Sequence, residues 1–379
     1  MKGSYFVGKT KALCVTLAVV FMGGCNVFLG PEPASDPQAV LKNLWTDFNE
    51  IHAYIDIRMS DNPEFESWED VYDNYHALLM RRIPPDNPDN ERDGTYLFET
   101  CKDMLSELMD PHVSLFAPGG NYFWLKNDDI QKREEKWFSL AVIKKNYLLD
   151  NGFDKGGFFT YGRFKSDLYN NIGYLYIASF VDSEKLEQAD WPKEIDGITA
   201  FFQDNDIDAV VIDIRNNSGG SGQIAEYIAG RFTSAQKNYM KARVKNGPGR
   251  NEFSEPMTFR VRPEGTRFTK PIALLTNVAT VSAAEWFTMA IKTQSHVRHM
   301  GTTTRGAFSP KTSRPMINGW YYTISAYRVT DMNGECFEGK GISPEYIFTG
   351  DSEEEDPTVE RQDTQLDNVL MEVRRWLNY

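Results

Sequence analysis

From Ile172 onward, short apolar runs alternate with amphipathic ones. Ile172–Phe180, Ala209–Ile214 and Pro271–Thr276 are almost wholly apolar, while Pro192–Phe202, Gln223–Arg231 and Ala283–Lys292 carry helical spacing. A strand that is apolar on both faces must be covered on both, and a parallel neighbour is reached only through a crossover. The alternation therefore predicts an α/β class, a mainly parallel sheet flanked by helices. The region before it differs. Asp36-Pro37 is a helix start, with the acid as N-cap and proline at the first position. Val40, Leu41, Leu44, Trp45, Phe48, Ile51 and Ile55 then recur at helical spacing. Further helices are expected near Trp68–Arg82 and Tyr96–Met109, so 36–110 reads as a small N-terminal helical domain. Segment 111–170 reads as a β-rich connection, with short strands at Tyr122–Leu125, Trp137–Val142 and Phe158–Tyr161. The α/β core is expected over 171–350. Residues 351–379 hold an acidic loop, Asp351–Asp356, and a last helix, Thr364–Leu377.

The first residues read as a targeting segment. Lys2, Lys9 and Lys11 precede an apolar run, Ala12–Met22, that is too short to span a bilayer, and Gly23 and Gly24 precede Cys25. This is the order of a signal peptide. Met22-Gly23-Gly24-Cys25 resembles a bacterial lipobox, which implies removal of 1–24, a lipid on Cys25 and a tether over 25–35. The expected location is the bacterial cell envelope, with the membrane reached through Cys25. The formal net charge of −13 argues against a nucleic-acid partner and against a polybasic grip on lipid. Cys101 and Cys336 are expected to stay unpaired. No Cys-x-x-Cys occurs and His296 and His299 form only a lone pair, so neither a metal nor another cofactor is expected.

Four segments could carry chemistry. Asp213–Gly222 follows a buried strand and precedes a helix. Its glycines free backbone N–H groups at a helix N-terminus, where an anion is stabilised. That anion could be phosphate or a catalytic oxyanion, or the loop could be a plain turn; the Gly-Lys-Ser/Thr ending of a phosphate loop is missing. Ser282, between a strand and a helix, could be a nucleophile with the next amide as oxyanion donor. Ser282 and Glu285 equally fit a capping box. His112, after Asp110-Pro111, could be a general base or an ordinary buried histidine. Glu338–Glu345 reads as a turn leading to a strand.

Taken together, the four segments resemble the C-terminal processing, or tail-specific, peptidase family, which includes the core of tricorn protease. The matching residues are Asp213, Arg215, Asn217, Gly219 and Gly220; Ser282, Ala283 and Glu285; Gly301, Thr304 and Gly306; Asn318-Gly319; Glu338, Gly341, Ile342, Pro344 and Glu345; and Asp110 with His112. The resemblance implies a crotonase-like (ClpP/crotonase) α/β core and a serine peptidase acting on peptide or protein substrates. It makes Ser282 the nucleophile, with Ala283 and Gly219 or Gly220 as the oxyanion hole. The lysine that serves as base in one branch is replaced by Ala307, and Lys311 lies four residues on. The tricorn-like branch uses a histidine supported through a serine by a glutamate. His112 and Glu338 match those two, but Pro111 stands where the serine would. About sixty residues separate His112 from Ile172, too few for a PDZ module, so recognition of substrate C-termini by strand addition is not expected. The alternatives are a binding lipoprotein of the same fold that has lost catalysis, or an acyl-CoA enzyme of crotonase type.

Overall fold

The computed structural model describes residues 36–83, 94–125, 137–180, 191–350 and 362–378. The leader with Cys25, the tether and the acidic loop Asp351–Asp356 lie outside the described residues. In chain order the elements begin with helices α1 (Pro37–Ile51), α2 (Ile55–Ser60), α3 (Trp68–Arg82) and α4 (Thr95–Ser106). Strands β1 (Ser114–Phe116) and β2 (Tyr122–Trp124), helix α5 (Leu140–Asn146), and strands β3 (Phe153–Lys155), β4 (Phe159–Arg163) and β5 (Ile172–Ile177) follow. The core continues with α6 (Trp191–Asp204), β6 (Ala209–Asp213), α7 (Gly222–Gly230), β7 (Lys237–Val244), β8 (Met257–Val261), β9 (Ile272–Thr276) and α8 (Ala283–Lys292). The chain closes with β10 (Val297–Gly301), β11 (Lys311–Pro315), β12 (Tyr321–Ser325), β13 (Tyr327–Thr330), β14 (Tyr346–Ile347) and α9 (Thr364–Leu377).

The main sheet has the order β14-β10-β9-β6-β5-β4-β3. The five strands from β14 to β5 are parallel, and β4 and β3 are antiparallel additions. Alternate residues of β6 serve different layers. Val210 and Ile212 pack with Phe202, Ile228 and Phe287 from α6, α7 and α8. Ala209 and Val211 face Leu366, Val369 and Val373 from α9. That double coverage is why the central strands are continuously apolar. The expected parallel sheet is therefore present, with its helices on both faces.

Helices α1, α3 and α4 form at the expected places, and Asp36 caps α1 by accepting from the Gln38 and Ala39 amides. They do not close a core by themselves. Their apolar faces pack against Leu115 of β1 and Tyr322 and Ile324 of β12. These strands belong to a second sheet, β11-β12-β1-β2. One expectation fails: Trp137–Val142 is not a strand. Ser139 accepts from the Val142 amide and starts α5. Leu140, Ile143 and Tyr147 then present one stripe to the α9 layer, a helical rather than an alternating pattern. Cys101 is buried, Cys336 is half-buried and no disulfide joins the two. No helix among the described residues is long and apolar enough to cross a membrane.

Arg215, just beyond β6, is fully buried. Its Nε and Nη2 donate to Asp213, while Nη1 donates to Asp363 and Gln365 at 3.0 Å each. Asp363 is also the N-cap of α9, accepting from the Leu366 amide. One guanidinium thus ties the sheet end to the last helix and lies over the Phe138 ring. Burial alone would lower the Arg215 pKa, but Asp213 and Asp363 raise it well above its ordinary value. Arg215→Leu should leave two buried carboxylates without their cation and cost about 3–5 kcal/mol of stability. Chemical denaturation measures this, and a loss below about 1 kcal/mol, the level of a surface pair, would contradict the assignment.

Candidate active site

The turn from β9 to α8 is held from below by side-chain amides and a hydroxyl. Thr280 Oγ1 donates to the Ile214 carbonyl at 2.9 Å. Asn277 accepts from the Asn216 amide at 3.0 Å and donates to the Asn216 side chain at 2.7 Å. The Val281 amide donates to the Asn217 carbonyl at 3.0 Å. These bonds join the serine turn to the glycine loop, two segments some sixty residues apart in sequence.

Ser282 follows, half-buried, at φ 64° and ψ −123°. An ordinary N-cap residue lies in the β region. A side chain at this backbone conformation costs of order 1–3 kcal/mol and needs surroundings that impose it. Glu285 supplies them. Its carboxylate is fully buried and accepts from the Ser282 amide (3.0 Å), Thr304 Oγ1 (2.7 Å), the Gly306 amide (2.6 Å) and the Ala307 amide (2.9 Å). Burial pushes the Glu285 pKa up, and the four donors pull it back. The reach of Glu285 to the Ser282 amide is half of the capping box that the sequence suggests. It serves here to hold a strained serine at the start of a helix.

The glycine loop meets this turn at close quarters. Gly219 has φ 87°, and a Cβ there would lie 2.7 Å from Ser282 Cβ and 2.9 Å from the Ala283 nitrogen. Only glycine permits that approach. Asn217 shapes the loop by donating to the Ile177 carbonyl at 2.8 Å and accepting from the Gly219 amide at 2.9 Å. The Gly219 N–H is therefore committed. The amides of Gly220, exposed at φ 136°, and of Ala283, first residue of α8, have no acceptor among the described residues. Both lie where helices α7 and α8 begin, and the positive ends of those helices favour an anion. Of the two glycines the sequence leaves open, Gly220 is the one with a free donor.

The histidine side is built by the N-terminal helices and β1. Asp110 accepts from the His112 backbone amide at 2.8 Å and from His52 Nε2 at 2.9 Å. The His112 carbonyl accepts from Thr323 Oγ1 at 2.6 Å. Its ring is buried and Nδ1 has no partner. Burial lowers the His112 pKa to about 4, against the pull of Asp110, and the charges of Lys311 and Arg58 add to the lowering. Glu338 does not reach it. Arg58 Nη2 donates to Glu338 Oε1, and the Phe308 amide donates to Oε2 at 2.8 Å. Burial nonetheless pushes the Glu338 pKa up to about 8. Pro111 offers no hydroxyl to bridge the two, and no hydrogen bond joins His112 to Ser282 in this structure. The chain thus brings Ser282, Gly219 and Ala283 into contact. It places Glu338 on the amide of Phe308, the residue after Ala307, and sets His112 beside Asp110.

Residues 171–348 match peptidase family S41. Two curated proteins of Bacillus subtilis, the carboxy-terminal processing proteases CtpA and CtpB, are 28% and 26% identical to this chain over 176 and 175 residues. These stretches are 46% of this chain but 34% and 33% of the two proteins, so the chain spans about a third of the length of the curated relatives it matches. A solved structure of a candidate peptidase from Parabacteroides merdae is 25% identical, with a TM-score of 0.70 over 90% of this chain and 97% of that one. Mature CPAF complexed with lactacystin shares the fold at 12% identity, with a TM-score of 0.61 over 90% of this chain and 98% of that one. The S41 match contains Gly219, Gly220, Ser282, Ala283 and Glu338, while His112 lies before it.

Sequence reasoning missed His52, Arg58 and Thr323, which surround His112 and Glu338. None carries a local signal, because each acts on a residue far along the chain. Two outcomes are expected. Gly219→Ala should push on Ser282 and on the Ala283 amide; if the centre is hydrolytic, kcat should fall at least about a hundredfold, the scale of losing a well-placed oxyanion donor such as Ala283. His112 must be neutral to accept a proton. If it is the base, kcat/KM should rise as pH increases through about 4 and stay level above it. A limb near 6.5, the value of an unperturbed histidine, would contradict the buried setting.

Proposed function

We propose that this chain is an exported serine endopeptidase with a crotonase-like core and Ser282 as its nucleophile. The observation that carries the reading is the strained backbone of Ser282 beside two amides without acceptors, those of Ala283 and Gly220. In this mechanism Ser282 Oγ attacks the peptide carbonyl carbon while His112 takes its proton. The carbonyl oxygen becomes an oxyanion between the Ala283 and Gly220 amides, and a single such donor is worth about 3 kcal/mol. The C–N bond then breaks as His112 returns the proton to the leaving amine, and water, deprotonated by His112, releases the acyl group from Ser282. Glu338 would bear on His112 only through Arg58, which pairs with Glu338 and whose charge lowers the His112 pKa. The envelope location and lipid on Cys25 rest on the pattern of residues 1–25 alone.

A fluorophosphonate probe should label Ser282 in the folded protein, and Ser282→Ala should abolish both labelling and peptide cleavage. The binding-protein alternative draws on the commitment of both Glu338 oxygens and the unpartnered His112 Nδ1. It predicts no adduct. His112→Ala should remove activity and Lys311→Ala should leave it largely intact; the reverse would move the base to Lys311.

A further inference from the structure

The two halves of the candidate centre face each other across a gap. A cavity of about 790 Å³ lies there, lined by Met109 and Pro111 from the histidine side and by Arg305 and Gly306 from the serine side. Across a void the walls make no van der Waals contact, so packing along this line does not set the distance from His112 to Ser282. A chain of polar bonds runs around the cavity instead. Arg58, on α2 and also in the cavity wall, donates from Nη1 to the Met109 carbonyl at 3.2 Å and from Nη2 to Glu338 Oε1. Glu338 Oε2 accepts from the Phe308 amide at 2.8 Å. Phe308 follows Ala307, whose amide donates to the same Glu285 carboxylate that accepts from the Ser282 amide. One guanidinium and two carboxylates thus tie the histidine turn to the serine turn.

The anchor point at Met109 is a strained one. Met109 has φ 46° in the turn that delivers Asp110, Pro111 and His112. A non-glycine residue in that region costs of order 1–3 kcal/mol and stays there only where its surroundings impose it. The Val113 amide donates to the Asp110 carbonyl at 3.0 Å and the His112 amide to the Asp110 carboxylate at 2.8 Å. With the turn closed in this way, a shift of the Met109 carbonyl carries His112 with it. Arg58 is 8% exposed and Glu338 1% exposed, so the pair that holds Met109 is out of water. Pro111 has no hydroxyl to make such a link, whereas a guanidinium is long, planar and able to hold two acceptors at once.

We propose that Arg58 is a positioning residue that sets His112 against Ser282, with Glu338 as its second anchor rather than as a group acting on the imidazole. The proposal rests on the peptidase reading above. Arg58 also faces His112 as a charge. Beneath the dominant effect of burial, Lys311 and Arg58 lower the His112 pKa and Asp110 raises it. Removing Arg58 should therefore loosen the turn and let the imidazole keep a proton to higher pH. Glu338 is not left as an unpaired buried charge by that change. Burial already raises its pKa and Arg58 is the main charge opposing the rise, so without Arg58 the acid takes up a proton.

The test follows peptide hydrolysis across pH, with thermal melts, in the wild type, Arg58→Met, Arg58→Lys, Glu338→Gln and the Arg58→Met/Glu338→Gln double variant. Arg58→Met should lower kcat about 10- to 100-fold, the scale of a misplacement of about 1 Å, with KM within about threefold of wild type. It should also move the acid limb of kcat/KM above its wild-type position. A folding defect alone would lower the active fraction and leave the limb in place. Arg58→Lys keeps the charge but offers one nitrogen for two anchors, so it should hold the wild-type limb and recover only part of kcat. Glu338→Gln should lower kcat without moving the limb. The double variant should be no slower than Arg58→Met, because the brace is already cut. An Arg58→Met kcat within about twofold of wild type, an unmoved limb, a loss confined to KM, or single losses that multiply in the double variant would overturn the proposal. If Arg58→Met does not melt cooperatively, Arg58→Lys and Glu338→Gln decide, and wild-type kcat in both overturns it equally. Absent fluorophosphonate labelling of the wild-type protein is the separate failure of the peptidase reading, and it removes the role of Arg58 as well.

Discussion

The buried carboxylate of Glu285 ties the turn before α8 to the loop after β10. Through four donors it binds the amide of Ser282 to the loop Thr304–Ala307. A carboxylate removed from water is stable only when its oxygens are hydrogen-bonded, so the two loops are fixed relative to one another. That fixity lets Ser282 keep a backbone conformation that an unconstrained serine would leave. Ala307, itself buried, supplies one of the four donors through its backbone amide.

On the opposite side, the histidine depends on parts of the chain that share no local sequence with it. Asp110 is pinned by His52, Glu338 by Arg58, and the His112 carbonyl by Thr323. These links run from the first helices, through the turn after α4, to strand β12 and the loop after β13. They explain why the helices of 36–106 are not a free-standing unit. Their apolar faces close only against β1 and β12, so the packing that completes their core also sets the position of His112.

Both sides meet at the cavity lined by Arg58 and Arg305. Each arginine belongs to one of them, Arg58 to the helical layer and Arg305 to the Glu285 loop. Their proximity is a product of assembly rather than of any motif. It gathers positive charge on one cavity of an acidic protein.

The sequence by itself determined the layered core. Apolar runs of strand length, spaced by helical patterns, have one economical arrangement, and α8 and α9 begin and end where their periodicity says. It also determined that Gly219 and Ser282 belong to one kind of loop, because glycines and a hydroxyl at strand-to-helix turns are local features. A short stretch such as Trp137–Val142 defeated it, since six residues do not separate a period of two from one of 3.6 when only one stripe is buried. Only the tertiary structure decided that Gly220 rather than Gly219 has a free amide, that Glu338 pairs with Arg58 instead of His112, and that Asp363 completes the charge of Arg215. The reason is the same in each case. A hydrogen bond between residues far apart in sequence depends on distances and directions set by the packing of whole layers, and neither composition nor spacing encodes them.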